Sequence, residues 1–149
     1  MISNKIENQD CFLCRKHAGG ENQPPGGYIY SDKHWLVCHA PVDKGPLGTL
    51  FIESRRHILD FADMNEEELN SYGQLLQRLY LILKELAHAE RIYSVVMLEG
   101  IPHFHSWFIP RRSTDAERGM AFLNQDLRCQ EDEVMMLAGE LHEKLNRPA

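Results

Sequence analysis

The stretch Pro102-His103-Phe104-His105-Ser106-Trp107-Phe108-Ile109-Pro110-Arg111, residues 102–111, is the most informative part of this sequence. Successive side chains of a β-strand point to opposite faces. One face of this stretch therefore carries His103, His105, Trp107 and Ile109. The other face carries residues that we expect to pack into the core, Phe104, Ser106 and Phe108. Two imidazoles on one face can act on one site, although two partly buried histidines with satisfied hydrogen bonds explain the pair equally well.

The end of this strand is also predicted from the sequence. Proline cannot donate a hydrogen bond to a neighbouring strand, so Pro110 is expected to end the strand. Arg111 and Arg112 follow it, and a guanidinium there is well suited to bind a phosphate. We therefore predict Arg111 as a substrate-binding residue.

The remaining chain predicts an α+β fold, with helices packed on an antiparallel sheet of about five strands. Apolar runs separated by turn residues are typical of strands, and they cover Tyr28–Tyr30, His34–His39, Thr49–Glu53, Ile92–Leu98 and His103–Ile109. The fourth run is apolar enough to be a buried strand. Gly100 and Pro102 predict a tight reversal between it and the last run.

One long and one shorter helix are predicted. The long helix runs from Asn65 to about Ala89, and Asn65 with Glu68 matches a capping box. Its apolar residues recur at intervals of three and four, and they are Leu69, Tyr72, Leu76, Leu79, Leu83 and Leu86. Met64 and Leu69 are spaced to form a hydrophobic staple. The shorter helix runs from about Gln130 to Asn146.

Size and charge limit the possible functions. The 149 residues fit one domain, 1–149, with a core at 10–112 and a C-terminal helical extension at 113–149. The net charge of −6 does not favour non-specific binding to nucleic acid or to an anionic membrane. The N-terminus lacks the apolar segment of a signal peptide, so we expect a cytoplasmic protein.

A second pair of residues suggests a metal site. Cys11 and Cys14 form a Cys-x-x-Cys pair, and with His57 and His103 they make a set of two thiolates and two imidazoles that suits tetrahedral zinc. The long intervals fit no compact zinc-finger pattern, and the choice of His57 rests partly on the family resemblance described below. A thioredoxin-like pair is less well supported, because no strand-helix-strand unit surrounds it. Two free thiols in a mobile arm are a further alternative.

The residues quoted so far resemble those of the histidine-triad (HIT) family. The run His103–Arg111 resembles the family signature of alternating histidines followed by Pro-Arg. The segment Gly48–His57 resembles the family's Gly-His-x-Leu-(Val/Ile)-x-Pro-(Lys/Arg)-x-His strand, and the acidic start of the helix after residue 63 also fits. The match covers roughly residues 10 to 112.

This resemblance implies a HIT-like fold and a reaction. Family members are nucleotidyl hydrolases and transferases, so by resemblance His105 is the nucleophile that attacks the α-phosphate of a small-molecule nucleotide substrate. Zinc-containing bacterial members, related to the diadenosine polyphosphate hydrolase and galactose-1-phosphate uridylyltransferase branches, imply a structural zinc on Cys11, Cys14, His57 and His103. Most of the family are homodimers, and the long helix could supply part of such an interface.

Three departures from the family pattern bear on activity. Trp107 replaces the third histidine, and it can donate a hydrogen bond, stack on a substrate ring or fill space. Ala40 stands where the family carries a ribose-binding Asp or Asn, so His39 either substitutes for it or is a strand-end histidine. The loop before the histidines is reduced to residues 98–102, which offers few donors to a phosphate.

Two hypotheses therefore stand. The chain is either a zinc-containing nucleotidyl hydrolase or transferase that uses His105, or a non-catalytic binding module stabilised by zinc. The intact His103-Phe104-His105 run favours the enzyme. Trp107, Ala40 and the shortened loop favour the binding module.

Overall fold

The computed structural model describes residues 8–147. In chain order its elements are α1 (Phe12–His17), β1 (Tyr28–Ser31), β2 (Trp35–His39), β3 (Leu50–Ser54), a 3₁₀ turn (Phe61–Asp63), α2 (Glu66–Leu86), β4 (Arg91–Val95), β5 (His105–Arg111), α3 (Gly119–Leu123) and α4 (Glu131–Leu145). The strands form one antiparallel sheet in the order β1-β2-β3-β5-β4. The predicted α+β class with a five-stranded antiparallel sheet is therefore confirmed, while the short helices α1 and α3 were not expected.

The alternation predicted for this stretch is confirmed from Phe104 to Phe108, although β5 begins at His105 and not at the predicted His103. Phe104 and Phe108 are fully buried in a core shared with α2 and α4. His105 and Trp107 lie on the opposite face of the sheet, where they line a cavity. The sheet therefore separates this cavity from the hydrophobic core.

The predicted end of β5 at Pro110 is wrong, because the strand continues to Arg111. β3 pairs with β5 only as far as Phe108. Beyond that point β5 has one neighbour, β4, and Pro110 lies opposite Ile92. Proline is tolerated where one side of a strand is already unpaired, since its missing N–H breaks no ladder there.

The prediction of a buried strand at Ile92–Leu98 is also wrong. β4 ends at Val95 and lies at the edge of the sheet, with its side chains exposed or half-buried. Residues 96–104 then form a loop to β5 rather than a tight reversal. An edge strand has a neighbour on one side only, so its apolar composition does not ensure burial.

The capping box of the long helix is confirmed. The Glu68 N–H donates to the Asn65 side chain at 2.8 Å, and the Asn65 N–H donates to the Glu68 carboxylate at 3.0 Å. Leu69 does not belong to the buried face, because it is 48% exposed. Glu68 is turned inward instead and pairs with Arg56, and neighbouring helix residues point about 100° apart. Of the two residues of the predicted hydrophobic staple, Met64 is therefore buried and Leu69 is not.

The predicted shorter helix is confirmed as α4, and it closes the core. Its large apolar residues on the inner face are buried, and they are Val134, Leu137, Leu141 and Leu145. Gly26 fits the loop before β1 against this helix. Its φ is +76°, and a Cβ there would lie 2.5 Å from the Cβ of Ala138. This contact fixes the loop that carries residues 22–25 to the cavity. Among residues 8–147, no helix is both long and apolar enough to cross a membrane.

Candidate active site and metal centre

The imidazole of His105 is held in one tautomer. Its Nδ1 lies 2.8 Å from the carbonyl oxygen of His103. A carbonyl oxygen can only accept, so Nδ1 carries a proton, and in the neutral ring Nε2 holds the lone pair. The side chain is 7% exposed and lines a cavity. Nε2 is therefore the ring nitrogen that can act as a nucleophile.

The cavity beside His105 has a volume of about 580 Å³, within the range of small-molecule sites. Its walls come from α1, the loop before β1, the end of β2, β3 and β5. About half of its lining residues are apolar, including Phe12, Phe51 and Trp107. The others are polar or charged, among them Lys16, Lys44 and Glu53.

Trp107 forms part of the cavity wall. Its ring meets the ring of Phe51 edge to face, with 4.5 Å between centroids. Phe51 in turn contacts His105, with 6.3 Å between centroids. Trp107 therefore fills space beside Phe51 and also presents an aromatic surface to the cavity.

The four residues predicted as metal ligands come together. The ligand atoms of Cys11, Cys14, His57 and His103 all lie within 4.8 Å of one another. Nδ1 of His103 is 3.3 Å from Sγ of Cys11 and 3.5 Å from Sγ of Cys14. Nδ1 of His57 is 3.5 Å from Sγ of Cys14. Tetrahedral zinc with bonds of about 2.0 to 2.3 Å would separate its ligand atoms by about 3.3 to 3.8 Å. The set therefore fits zinc.

Neighbouring groups orient these ligands. Nε2 of His103 donates to the carbonyl oxygen of Ser54 at 2.7 Å, which turns the lone pair of Nδ1 toward the two sulfurs. The N–H of Cys14 donates to Sγ of Cys11 at 3.4 Å, and this hydrogen bond caps the N-terminus of α1. Burial lowers the pKa of His103 to about 4, so this imidazole is neutral at physiological pH. A neutral imidazole is the form that binds a metal.

A buried polar group at the cavity was not predicted. We call it the Glu53 cluster, and it consists of Glu53, Lys16, His17, Tyr28 and Cys38. Glu53 is 1% exposed; its Oε2 accepts from Lys16 at 2.7 Å, and its Oε1 accepts from His17 at 3.1 Å and from Tyr28 at 3.0 Å. Burial alone would raise the pKa of Glu53, but the hydrogen bond from His17 and the charge of Lys16 outweigh it and lower the pKa to about 2. Glu53 is therefore ionised.

His17 is a half-buried histidine of this cluster. Its side chain is 13% exposed, and its ring packs edge-on against His103 with 5.5 Å between centroids. Nothing in the pattern around residue 17 indicated a buried partner. The partner, Glu53, lies 36 positions away in the sequence. The single signal for it is that Glu53 is a charged residue within the predicted strand Thr49–Glu53.

His39 and Arg111, which were predicted to bind substrate, both contact other groups of the protein. In His39, Nδ1 donates to the carbonyl oxygen of Ala40 at 2.7 Å, and Nε2 accepts from the N–H of Gly48 at 2.9 Å. Its ring lines the cavity, but both nitrogens are used, and burial lowers its pKa. Arg111 is 3% exposed, lies 3.3 Å from Glu90 and is not among the residues that line the cavity. The geometry favours the strand-end interpretation of His39.

Three solved structures show what this arrangement resembles. A Zn-bound histidine triad family protein from Mycobacterium smegmatis is 20% identical and has a TM-score of 0.70, with 91% of this chain and 95% of that chain covered. A Hit-like protein involved in cell-cycle regulation from Bartonella henselae is 13% identical with a TM-score of 0.71, covering 93% and 98%. A hypothetical histidine triad nucleotide-binding protein from Sulfolobus tokodaii is 14% identical with a TM-score of 0.71, covering 91% of each chain.

The chain has the histidine-triad fold. No family model and no curated protein matches this sequence. The similarity is therefore one of structure, at identities between 13% and 20% for the three proteins described. The Cys₂His₂ set of this chain suits zinc by the chemistry and spacing of its own ligand atoms.

Proposed function

We propose that this protein is a nucleotidyl hydrolase or transferase that attacks a nucleotide α-phosphate through Nε2 of His105. The observation that carries the proposal is the tautomer of His105. Its Nδ1–H is bound to the carbonyl oxygen of His103, and Nε2 is left with its lone pair at a cavity of about 580 Å³. A nucleophilic imidazole needs this state.

The reaction has two steps. In the first, Nε2 forms a bond to phosphorus, and the bond from phosphorus to the leaving group breaks with its electron pair. The hydrogen bond to His103 stabilises the charge that Nδ1–H then carries. In the second, water or another acceptor attacks phosphorus, the N–P bond breaks and the imidazole is restored. The nucleotide is released or transferred.

Zinc is proposed as a structural component of this enzyme. Cys11, Cys14, His57 and His103 would occupy all four positions of a tetrahedral ion, and a closed set of this kind is typical of structural sites. The backbone between His103 and His105 links the two centres. A cytoplasmic location is part of the proposal, because the two cysteines must stay reduced to bind the metal. We also propose that the whole chain acts as one domain.

The experiment that tests the activity is intact-protein mass spectrometry after incubation with three substrates. These are a nucleoside phosphoramidate, a diadenosine polyphosphate and a nucleotide-sugar, with free nucleotide assayed in parallel. A nucleotidyl adduct or released nucleotide is expected from at least one of them. With neither, the enzyme proposal fails, and a zinc-stabilised binding module is the better description. Trp107 in place of a third histidine favours that second function.

Trp107→His is expected to raise turnover of substrates whose leaving group needs a proton. The imidazole would stand two residues after His105 on the same face, and a positioned general acid contributes about 10²- to 10⁴-fold. We expect a gain of about tenfold or more in kcat on the nucleoside phosphoramidate. Trp107→Phe is the control, because it keeps an aromatic wall without a titratable group. Equal rates for the two variants would contradict the prediction and direct attention to the shortened loop.

We also propose a homodimer. β4 lies at the edge of the sheet, and Met97 just beyond it is 65% exposed. Leu81 of α2 is 62% exposed, and the adjacent residue Tyr80 joins this helix to β4 by a hydrogen bond to Ser94. Exposed apolar surface beside an unpaired edge is typical of an interface.

Light scattering after size exclusion is expected to give twice the mass of the chain. Met97→Lys is expected to shift the mass toward that of one chain, because a lysine would have to lose water at the interface. Met136→Lys, on an exposed residue of α4, is the control and should remain dimeric. A single-chain mass for the wild type at high concentration would contradict the proposal.

A further inference from the structure

Lys16 is a buried cation at the wall of the cavity. It lies near the end of α1, its side chain is 8% exposed, and its Nζ is 2.7 Å from Oε2 of Glu53. Both residues line the same cavity as His105. A buried lysine is rare unless it is paired, and here the pair borders a space large enough for a ligand.

The charges around this space favour an anion. Two lysines, Lys16 and Lys44, line the cavity against one carboxylate, Glu53. The oxygens of Glu53 already accept from Lys16, His17 and Tyr28. The cavity is therefore locally positive in a chain whose net charge is −6.

Lys16 retains donor capacity that Glu53 does not use. An ammonium group has three N–H donors. Its hydrogen-bond partners are Oε2 of Glu53 at 2.7 Å and Sγ of Cys38 at 3.6 Å, and the centroid of the Tyr28 ring lies 5.3 Å away. The contact to sulfur is long and weak, so at least one donor remains for a group inside the cavity.

The strand register places this cation beside the nucleophile. Glu53 on β3 lies directly opposite His105 on β5, and directly opposed residues of antiparallel strands have Cα atoms about 4.5 to 5.5 Å apart. The ion pair is thus one strand away from the imidazole. A phosphate that approached Nε2 of His105 would enter the field of Lys16.

We infer that Lys16 binds the phosphate of the nucleotide substrate. It supplies the positive charge that the short loop at residues 98–102 does not offer. The inference rests on the proposed function, which supplies the nucleotide as the ligand. It also gives α1 a second role, because the helix segment that carries Cys11 and Cys14 brings Lys16 to the cavity.

The test is isothermal titration of zinc-loaded protein with AMP, and with adenosine as a ligand without phosphate. Lys16→Met is expected to weaken AMP binding by about tenfold or more, the loss typical of one charge-assisted hydrogen bond. Adenosine binding is expected to change by less than about twofold, because the lost contact is to phosphate. Lys33→Met is the matched control, since Lys33 is a lysine paired with Glu67 on the surface. It should leave both affinities unchanged.

Glu53→Gln separates ligand binding from a purely structural role. Removing the carboxylate frees Lys16, so AMP binding should be retained or become tighter. If Lys16 serves only to hold Glu53 in the fold, both substitutions should weaken AMP binding alike, and that result would overturn the inference. Lys16→Met combined with Glu53→Gln covers the case in which Lys16→Met alone does not fold, because the double variant leaves no unpaired buried carboxylate. It too is expected to bind AMP weakly, and wild-type affinity in it would overturn the inference.

Failure of this inference is distinguishable from failure of the proposed function. If wild type forms an adduct and AMP binding does not depend on Lys16, the enzyme proposal stands and the inference fails. If AMP binding depends on Lys16 but no substrate gives an adduct or product, the inference stands as a binding site and the enzyme proposal fails. Zinc content and Tm are measured on every variant to confirm that α1 is in place.

Discussion

His105→Ala is expected to abolish both the nucleotidyl adduct and the release of nucleotide. The substitution removes the only atom proposed to bond to phosphorus, and removing such a nucleophile lowers kcat by at least about three orders of magnitude. Zinc content and Tm should stay close to those of the wild type, because His105 contributes no atom to the Cys₂His₂ cluster. Intact-protein mass spectrometry with the three substrates, together with metal analysis, measures both results.

The control for this variant is His142→Ala, since His142 is an exposed histidine on α4. It should form the adduct at the wild-type rate. An adduct that persists in His105→Ala would show that another residue is the nucleophile. Loss of zinc in that variant, with the adduct retained, would mean that the roles assigned to His103 and His105 are exchanged.

Cys14→Ala is expected to release zinc and to lower Tm by about 10 °C or more. Structural zinc contributes about 10 kcal/mol or more in small peptides, and in a chain of this size a loss of 1 kcal/mol lowers Tm by about 2 to 4 °C. The variant removes one of two sulfurs that hold α1 against the sheet. His57→Ala should act in the same direction, because it removes a ligand from the same cluster. Metal analysis and thermal unfolding with and without a chelator give both quantities.

Cys129→Ala is the matched control, because Cys129 is partly exposed and its sulfur lies near the carbonyl oxygen of Val42, outside the metal cluster. It should keep its zinc and its Tm. Chelation should lower the Tm of the wild type toward that of Cys14→Ala and leave Cys14→Ala unchanged. Equal stability of the wild type with and without metal would show that zinc is not a structural component.

The alternation of side chains in residues 102–111 was enough to predict which of them face the core and which face the cavity. A period of two needs no information beyond the neighbouring residues, so the sequence alone assigned Phe104 and Phe108 to the core and His105 to the opposite face. The capping box at Asn65 is equally local, and it was predicted correctly because both partners lie within one helical turn.

The metal cluster required more than the sequence pattern. Thiolate and imidazole chemistry pointed to four candidates, and the structure confirms that these side chains meet. Residues 14 and 57 are 43 positions apart, however, and nothing local selects His57 among the eight histidines. The resemblance to the HIT family supplied that choice.

The two wrong predictions about β5 and β4 have one physical origin. Pro110 can lie inside β5 because β3 pairs with β5 only as far as Phe108, two residues before the proline. β4 is exposed because it lies at the edge of the sheet and has one neighbouring strand. Both facts depend on how strands are ordered in the sheet. An apolar run or a proline carries no information about that order.

What the sequence by itself determined is the fold class, the two principal helices, the face of His105 and the thiolate and imidazole chemistry of the metal site, because each depends on periodicity or on residue chemistry. Only the tertiary structure decided which atom of His105 is free, since that follows from the carbonyl oxygen of His103. It also decided that Glu53 and Lys16 form a buried pair and that Glu53 lies opposite His105. These contacts depend on three-dimensional packing, and local sequence patterns contain no record of it.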